Sequence, residues 1–216
     1  MTRQSTSRLR LLHAVRLLGF ADGAAIAARA GSSPGEAADL LEEAESRGWV
    51  QRLSFADLEG WSLTDAGRTE NERQLAIERE SADPSLRIAA AYREFLPLNA
   101  RLLRAVTDWQ ISPTATDAFA SNDHSDGERD GRILSELSRL SEELTPLADR
   151  LSGVLVRFSG YAERFASALD KAKGGQPAWV DRTGIDSCHR VWFELHEDLL
   201  ATLGVDRRDT NPDGFE

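Results

Sequence analysis

Two histidines in the last apolar stretch of the chain, His189 and His196, are seven residues apart, so on a helix they fall two turns apart on one face. Glu194, Glu197 and Asp198 share that stretch, and His124 and Asp126 belong to a polar run, Asn122-Asp123-His124-Ser125-Asp126. These are the residue types of a divalent-metal site. The spacing is not that of one. A zinc signature sets two ligands at i and i+3 or i+4 with a third at a fixed distance, and no such set occurs. Histidines hydrogen-bonded in or beside a core are the expectation, with no bound metal. Asp186-Ser187-Cys188-His189 holds the chemistry of a nucleophile and a base, but consecutive helical residues point about 100° apart and cannot converge. Gly-x-Gly-x-x-Gly, a phosphate loop and a Gly-x-Ser-x-Gly elbow are all missing, so neither enzyme activity nor a cofactor is expected. The aromatic residues are the better resource. Tyr92, Trp109 and Trp192 could line a pocket for an apolar or aromatic effector, with His124, His189 or His196 fixing its polar end, or they could simply be core.

Composition narrows the classes further. The chain has 216 residues, 41% of them apolar, enough for one large or two small cores. It contains no run near the roughly 18 apolar residues of a membrane span, and its first ten residues lack a signal-peptide segment, so a cytoplasmic location without membrane contact is expected. The single cysteine, Cys188, rules out an internal disulfide. Net charge is −10, with 10 basic and 13 acidic groups in residues 1–80. Because attraction to phosphates supplies most non-specific DNA affinity, a chain this acidic needs a local basic patch to bind DNA.

The elements that must position these side chains divide the chain in two. Apolar periodicity predicts a helix over residues 8–18, a second from the cap Asp22 to Gly31, and a third capped by Ser33 with Pro34 in its first turn and Gly48 as its stop. Residues 49–54 and 60–63 read as a β-hairpin, and Thr64 caps a helix over 65–80. From residue 81 onward the pattern is helical only, predicting a bundle of about four or five helices, kinked or split at Pro97 and interrupted by a long polar connection over 111–127. A final helix begins near Thr183, and 205–216 form a polar tail. The expected fold class is therefore mainly α: a winged helix-turn-helix domain over 1–80 followed by an all-α domain over 81–204. The last helix is apolar over so much of its circumference that it should lie at the centre of its domain or in a dimer interface. Because the first and last helices together carry more apolar surface than a small monomer easily hides, a homodimer is expected.

Three segments carry a family resemblance: Ser33-Pro34 opening the third helix, Glu45-Ser46-Arg47-Gly48-Trp49-Val50 closing it, and Trp61-Ser62-Leu63-Thr64-Asp65-Ala66-Gly67-Arg68 after the hairpin. In these the first 80 residues resemble the MarR-type winged-helix transcriptional regulators. That resemblance implies DNA as partner, a third helix lying in the major groove, and a small-molecule effector or a second copy bound by the helical domain. The candidate DNA contacts are Arg3, Arg8 and Arg10 in the N-terminal arm, Ser32 and Ser33 at the third helix, and Arg52, Arg68 and Arg73 beside the wing. The charges oppose this reading. The third helix exposes Glu36, Asp39, Glu42 and Glu43, and Asp57 and Glu59 occupy the wing tip. The alternative partner is a basic protein surface, met by that acidic helix.

Overall fold

The computed structural model describes residues 2–55, 58–114 and 116–205. Eight α-helices and one two-stranded antiparallel hairpin occur among them: α1 (Ser7–Leu18), α2 (Gly23–Ala30), α3 (Pro34–Ser46), β1 (Val50–Phe55), β2 (Leu58–Leu63), α4 (Asp65–Ala82), α5 (Arg87–Gln110), α6 (Gly127–Ser152), α7 (Tyr161–Lys173) and α8 (Cys188–Leu203). The protein is mainly helical, and no described helix is long and apolar enough to cross a membrane.

Local chemistry starts each of the first four helices in the same way. The hydroxyls of Thr6, Ser33 and Thr64 and the carboxylate of Asp22 accept from the N–H three residues on, at 2.8 to 3.3 Å. Each such cap contributes about 1 kcal/mol. Gly31 ends α2 at φ +61°, a conformation that only glycine adopts without strain. The hairpin pairs Val50 with Leu63 and Arg52 with Trp61. The Trp61 main chain also exchanges hydrogen bonds with Ala21, tying the hairpin to the segment before α2.

Two compact units result. The first takes in the chain up to Ser85, together with residues 155–157 and the chain from His196; the second takes in Leu86–Val154 and Phe158–Leu195. Helix α8 thus gives its first half to one unit and its second half to the other. The core of the first unit gathers Leu11, Leu12, Val15, Ile26, Leu41 and Trp61, with small alanines where α2 and α3 approach. A smaller cluster joins Leu9 and Leu75 to Ala201, so the late chain completes this unit.

In the second unit α5 and α6 run on through Pro97 and Pro146 as single helices. Both prolines lie on solvent-facing positions, while Phe95, Leu98 and Leu102 keep one buried stripe across the first of them. The final helix starts at Cys188, later than its apolar pattern predicts, because Ser187 Oγ accepts from the Arg190 N–H and 177–179 form a separate 3-10 turn. The apolar stripes of α1 and α8, from which a dimer interface is expected, are buried within the chain itself: Leu11, Leu12, Val15, Val191, Leu195 and Leu199 are at most 1% exposed.

Candidate functional site

Helix α3 and its surroundings carry most of the sequence-predicted DNA contacts. Glu36, Asp39, Glu42 and Glu45 project to solvent. Glu43 does not stand free: its carboxylate accepts from Arg8 at 2.6 Å and from Arg47 at 2.8 Å, and the Arg8 guanidinium holds it below the usual glutamate range. Arg47 also stacks over Trp49 at 4.9 Å. On α4, Arg73 grips Glu70 with two bonds of 2.7 Å and draws that carboxyl down to about 2. Arg8, Arg47 and Arg73 share a cleft of about 650 Å³ with Leu40, Trp49 and Gln74, so two predicted contacts, Arg8 and Arg73, are brought together there. Both have their charge spent on a neighbouring carboxylate.

The remaining predicted contacts are dispersed. Arg3 donates to Ser81 Oγ at 2.5 Å, and its carbonyl accepts from the Val156 N–H, so this residue is docked and not part of a free arm. Arg10 donates to Ser7 Oγ at 3.4 Å. Ser33 serves as the α3 cap, and the neighbouring Ser32 hydroxyl is buried without a partner among the described residues. Arg52 lies over the Trp61 ring at 4.7 Å, and Arg68 is exposed with no ion pair among the described residues. Glu59 is exposed on β2; Asp57 and the tail from 206 lie outside the described residues.

Among the predicted effector residues, Trp109 and His124 meet. Their rings are 4.5 Å apart, and His124 Nδ1 lies 2.9 Å from Asp130. Asn122 donates to the Trp109 carbonyl and to Asp130, and Arg129 donates to the carbonyls of Asp108 and Ile111. The long connection is therefore stapled to the ends of α5 and α6, a set of contacts that leaves no periodic trace in sequence. Trp192 is core: it stacks on Phe95 at 5.1 Å, meets Phe165 at 5.5 Å, and donates from Nε1 to Asn99. Tyr92 is buried. His189 is half-buried, and burial lowers its pKa against the pull of Asp181. His196 belongs to the first unit.

The carboxylates considered as metal ligands are engaged otherwise: Asp126 caps α6 by accepting from the Glu128 and Arg129 N–H groups, and the three on α8 hold arginines. Glu194 takes Arg164 and Arg190, Glu197 takes Arg16, and Asp198 takes Arg157. Among the described residues no three histidine, cysteine, aspartate or glutamate side chains are grouped as a metal site. The Cys188 thiol is buried, which pushes its pKa up to about 12 and leaves it protonated and unreactive.

A buried polar network in the first unit is one that the sequence does not announce. Its members come from four separate segments: His13 on α1, Asn71 and Glu78 on α4, Arg157 on a 3-10 turn at 156–158, and Asp198 and Thr202 on α8. All are buried. Arg157 pairs with Asp198, with Glu78 at 3.1 Å and with Thr202 Oγ1 at 2.6 Å. Burial opposes the charge on Arg157, but the two carboxylates outweigh it and hold the guanidinium more firmly protonated than usual. The Asp198 carboxyl is likewise disfavoured by burial, yet Arg157 and then His13 draw its pKa below the ordinary value.

His13 Nε2 lies 3.0 Å from Asp198, and Nδ1 lies 3.5 Å from the Asn71 amide. Burial is the largest influence on this ring and lowers its pKa against the pull of the Asp198 carboxylate, with Arg157 and Arg29 pressing the same way as burial. A ring that donates from Nε2 presents a lone pair at Nδ1, which the NH2 end of the Asn71 amide satisfies once turned toward it.

A pH dependence follows. Between the lowered folded value and the ordinary 6.5, the unfolded chain binds more protons at His13 than the folded one, so this contribution to stability is complete above about pH 6.5 and is lost as pH falls. Asp198 acts in the same direction at lower pH: its contribution is complete above about pH 4 and is lost as pH falls through its depressed value. Urea unfolding at pH 5, 6 and 7 should show stability rising with pH, with a shallower slope in His13→Gln; an equal slope in both proteins would contradict the assignment.

No protein-family model, no curated protein and no solved structure matches the chain.

Proposed function

We propose that the first unit is the winged-helix module of a cytoplasmic regulator and that it works by protein contact, with α3 meeting a basic partner surface. Three helices, a hairpin and a fourth helix follow in the winged-helix order. The observation that carries the reading is the charge on α3. Four carboxylates face solvent, and the two cations beside the helix, Arg8 and Arg47, are both held by its own Glu43. A helix with this face in the major groove would set carboxylates against phosphates, and the positive helix N-terminus is too weak to offset them. Opposite a basic protein surface the same charges steer association and exclude acidic competitors.

DNA binding is the second reading, and Arg52 and Arg68 favour it. Both are exposed beside the hairpin, with no carboxylate partner among the described residues. A dimer formed through α1 and α8 is not part of the proposal, since most of those stripes are covered, with Phe193 the exposed exception on α8 among the described residues.

Passage over heparin and titration of a labelled generic duplex at low salt separate the two readings. The chain should pass through heparin and leave duplex anisotropy unchanged. Retention by heparin, together with duplex binding that Arg52→Ala plus Arg68→Ala weakens at every sequence while flattening the salt dependence by about one to two units of slope, would establish the second reading over the first.

A further inference from the structure

In the second unit α5 and α6 present the same pattern to one groove. From α5 come Arg101, Arg104, Ala105 and Asp108; from α6 come Arg129, Arg132, Ile133 and Glu136. Each set is spaced i, i+3, i+4, i+7, which places it on a single helix face. The buried Ala105 and Ile133 form an apolar floor, and four arginines against two carboxylates make this a cationic cleft in a chain of net charge −10. Its volume is about 320 Å³.

The four arginines are not equivalent. Arg101 is committed to Glu136 and Glu143 at 2.7 Å each, and Arg129 is committed to the carbonyls of Asp108 and Ile111. The central pair is not. Arg104 is exposed with no ion pair among the described residues, and Arg132 has only a long, solvent-exposed approach of 3.9 Å to Glu128. Arg129 Nε, on the same cleft, is buried with no acceptor among the described residues. Outer arginines thus fix the groove while the inner ones keep their donors for something else.

We infer that this cleft binds a small dianionic oxyanion, a phosphate group either free or as the monoester of a small molecule, with Arg104 and Arg132 as its ligands. Guanidinium forks match the geometry of phosphate oxygens, and the volume lies at the small end of ligand sites, roughly 300 to 1,000 Å³. The site is independent of what α3 meets.

The test is calorimetric titration of the full chain at low ionic strength with inorganic phosphate and, separately, with phenyl phosphate. Saturable binding of at least one is expected, and the tighter of the two distinguishes a free anion from an ester. Arg104→Gln and Arg132→Gln should each weaken it by about tenfold, and Arg93→Gln, elsewhere on α5, should not. Asp108→Asn removes a lining carboxylate and should tighten binding about threefold, a gain that no loss of folding can imitate. No saturable binding of either probe, the same affinity in the double variant Arg104→Gln/Arg132→Gln, or equal competition by chloride would overturn the assignment.

Discussion

Replacing Arg157 with methionine should destabilise the protein by about 3–5 kcal/mol, because it leaves Glu78 and Asp198 buried without their shared cation. The loss should appear as a lower urea midpoint and as faster amide exchange in α4 and in the second half of α8. The arginine itself is not worth that amount, since much of the cost is the desolvated charge it abandons. Adding Glu78→Gln and Asp198→Asn to the same chain should therefore recover a large part of the lost stability. An unchanged midpoint for Arg157→Met would mean that the network carries no stability, and failure of the triple variant to recover would mean that packing of the arginine stem, not charge, is what matters.

The second large effect is expected at Gly67. A Cβ built on this residue would lie 1.8 Å from the Trp49 carbonyl oxygen, far inside any real contact, and the obstruction is main chain that cannot rotate away. That same carbonyl accepts from the Thr64 N–H at 3.0 Å, so α4 begins on the backbone of the residue preceding β1. Gly67→Ala must push the first turn of α4 off this seat and break the Thr64 contacts. A loss of about 3 kcal/mol or more follows, at the upper end for an overpacked position. Gly35→Ala is the matched control. It lies in the first turn of α3 with nothing within 4 Å of the added methyl, and exchanging glycine for alanine there should raise stability by up to about 1 kcal/mol. Equal unfolding midpoints for the two alanine variants would contradict the argument.

Gly67 also shows which features of the fold can be read from sequence. The segment Thr64-Asp65-Ala66-Gly67 is legible as a helix start because a cap hydroxyl and its N–H partner are three residues apart, and the same holds for Asp22 and Ser33. Why the fourth residue is glycine is not legible, because the atom that forbids a side chain belongs to Trp49, fifteen residues before Thr64. Pro97 misleads for the opposite reason. It suggests a kink or a split locally, but its outward placement and the continuous buried stripe beside it keep α5 one helix.

The candidate sites follow the same division. The acidic face of α3 is visible as spacing alone, whereas the capture of Glu43 by Arg8 depends on how α1 meets α3. The buried network has no spacing to find. Only Asp198 and Thr202, four apart on α8, and Asn71 and Glu78, seven apart on α4, share a face, and Arg157 looks like an ordinary solvated arginine in an apolar run. The arginine groove, by contrast, is written twice in the sequence as Arg-x-x-Arg with an acid four residues on. Its meaning emerges only when α5 and α6 lie side by side.

The participation of residues 155–157 and of the second half of α8 in the first unit has a consequence for biosynthesis. On the ribosome, α1 to α4 emerge early, but Arg157 arrives after two long helices of the other unit, and Asp198 and Ala201 arrive about forty residues later still. Until then Leu9 and Leu75 have no Ala201 to pack on, His13 lacks the Asp198 carboxylate and Glu78 lacks the Arg157 guanidinium. The nascent first unit must therefore wait, incompletely closed, for chain made much later, and a translation product cut short before α8 would carry this open surface to chaperones and proteases.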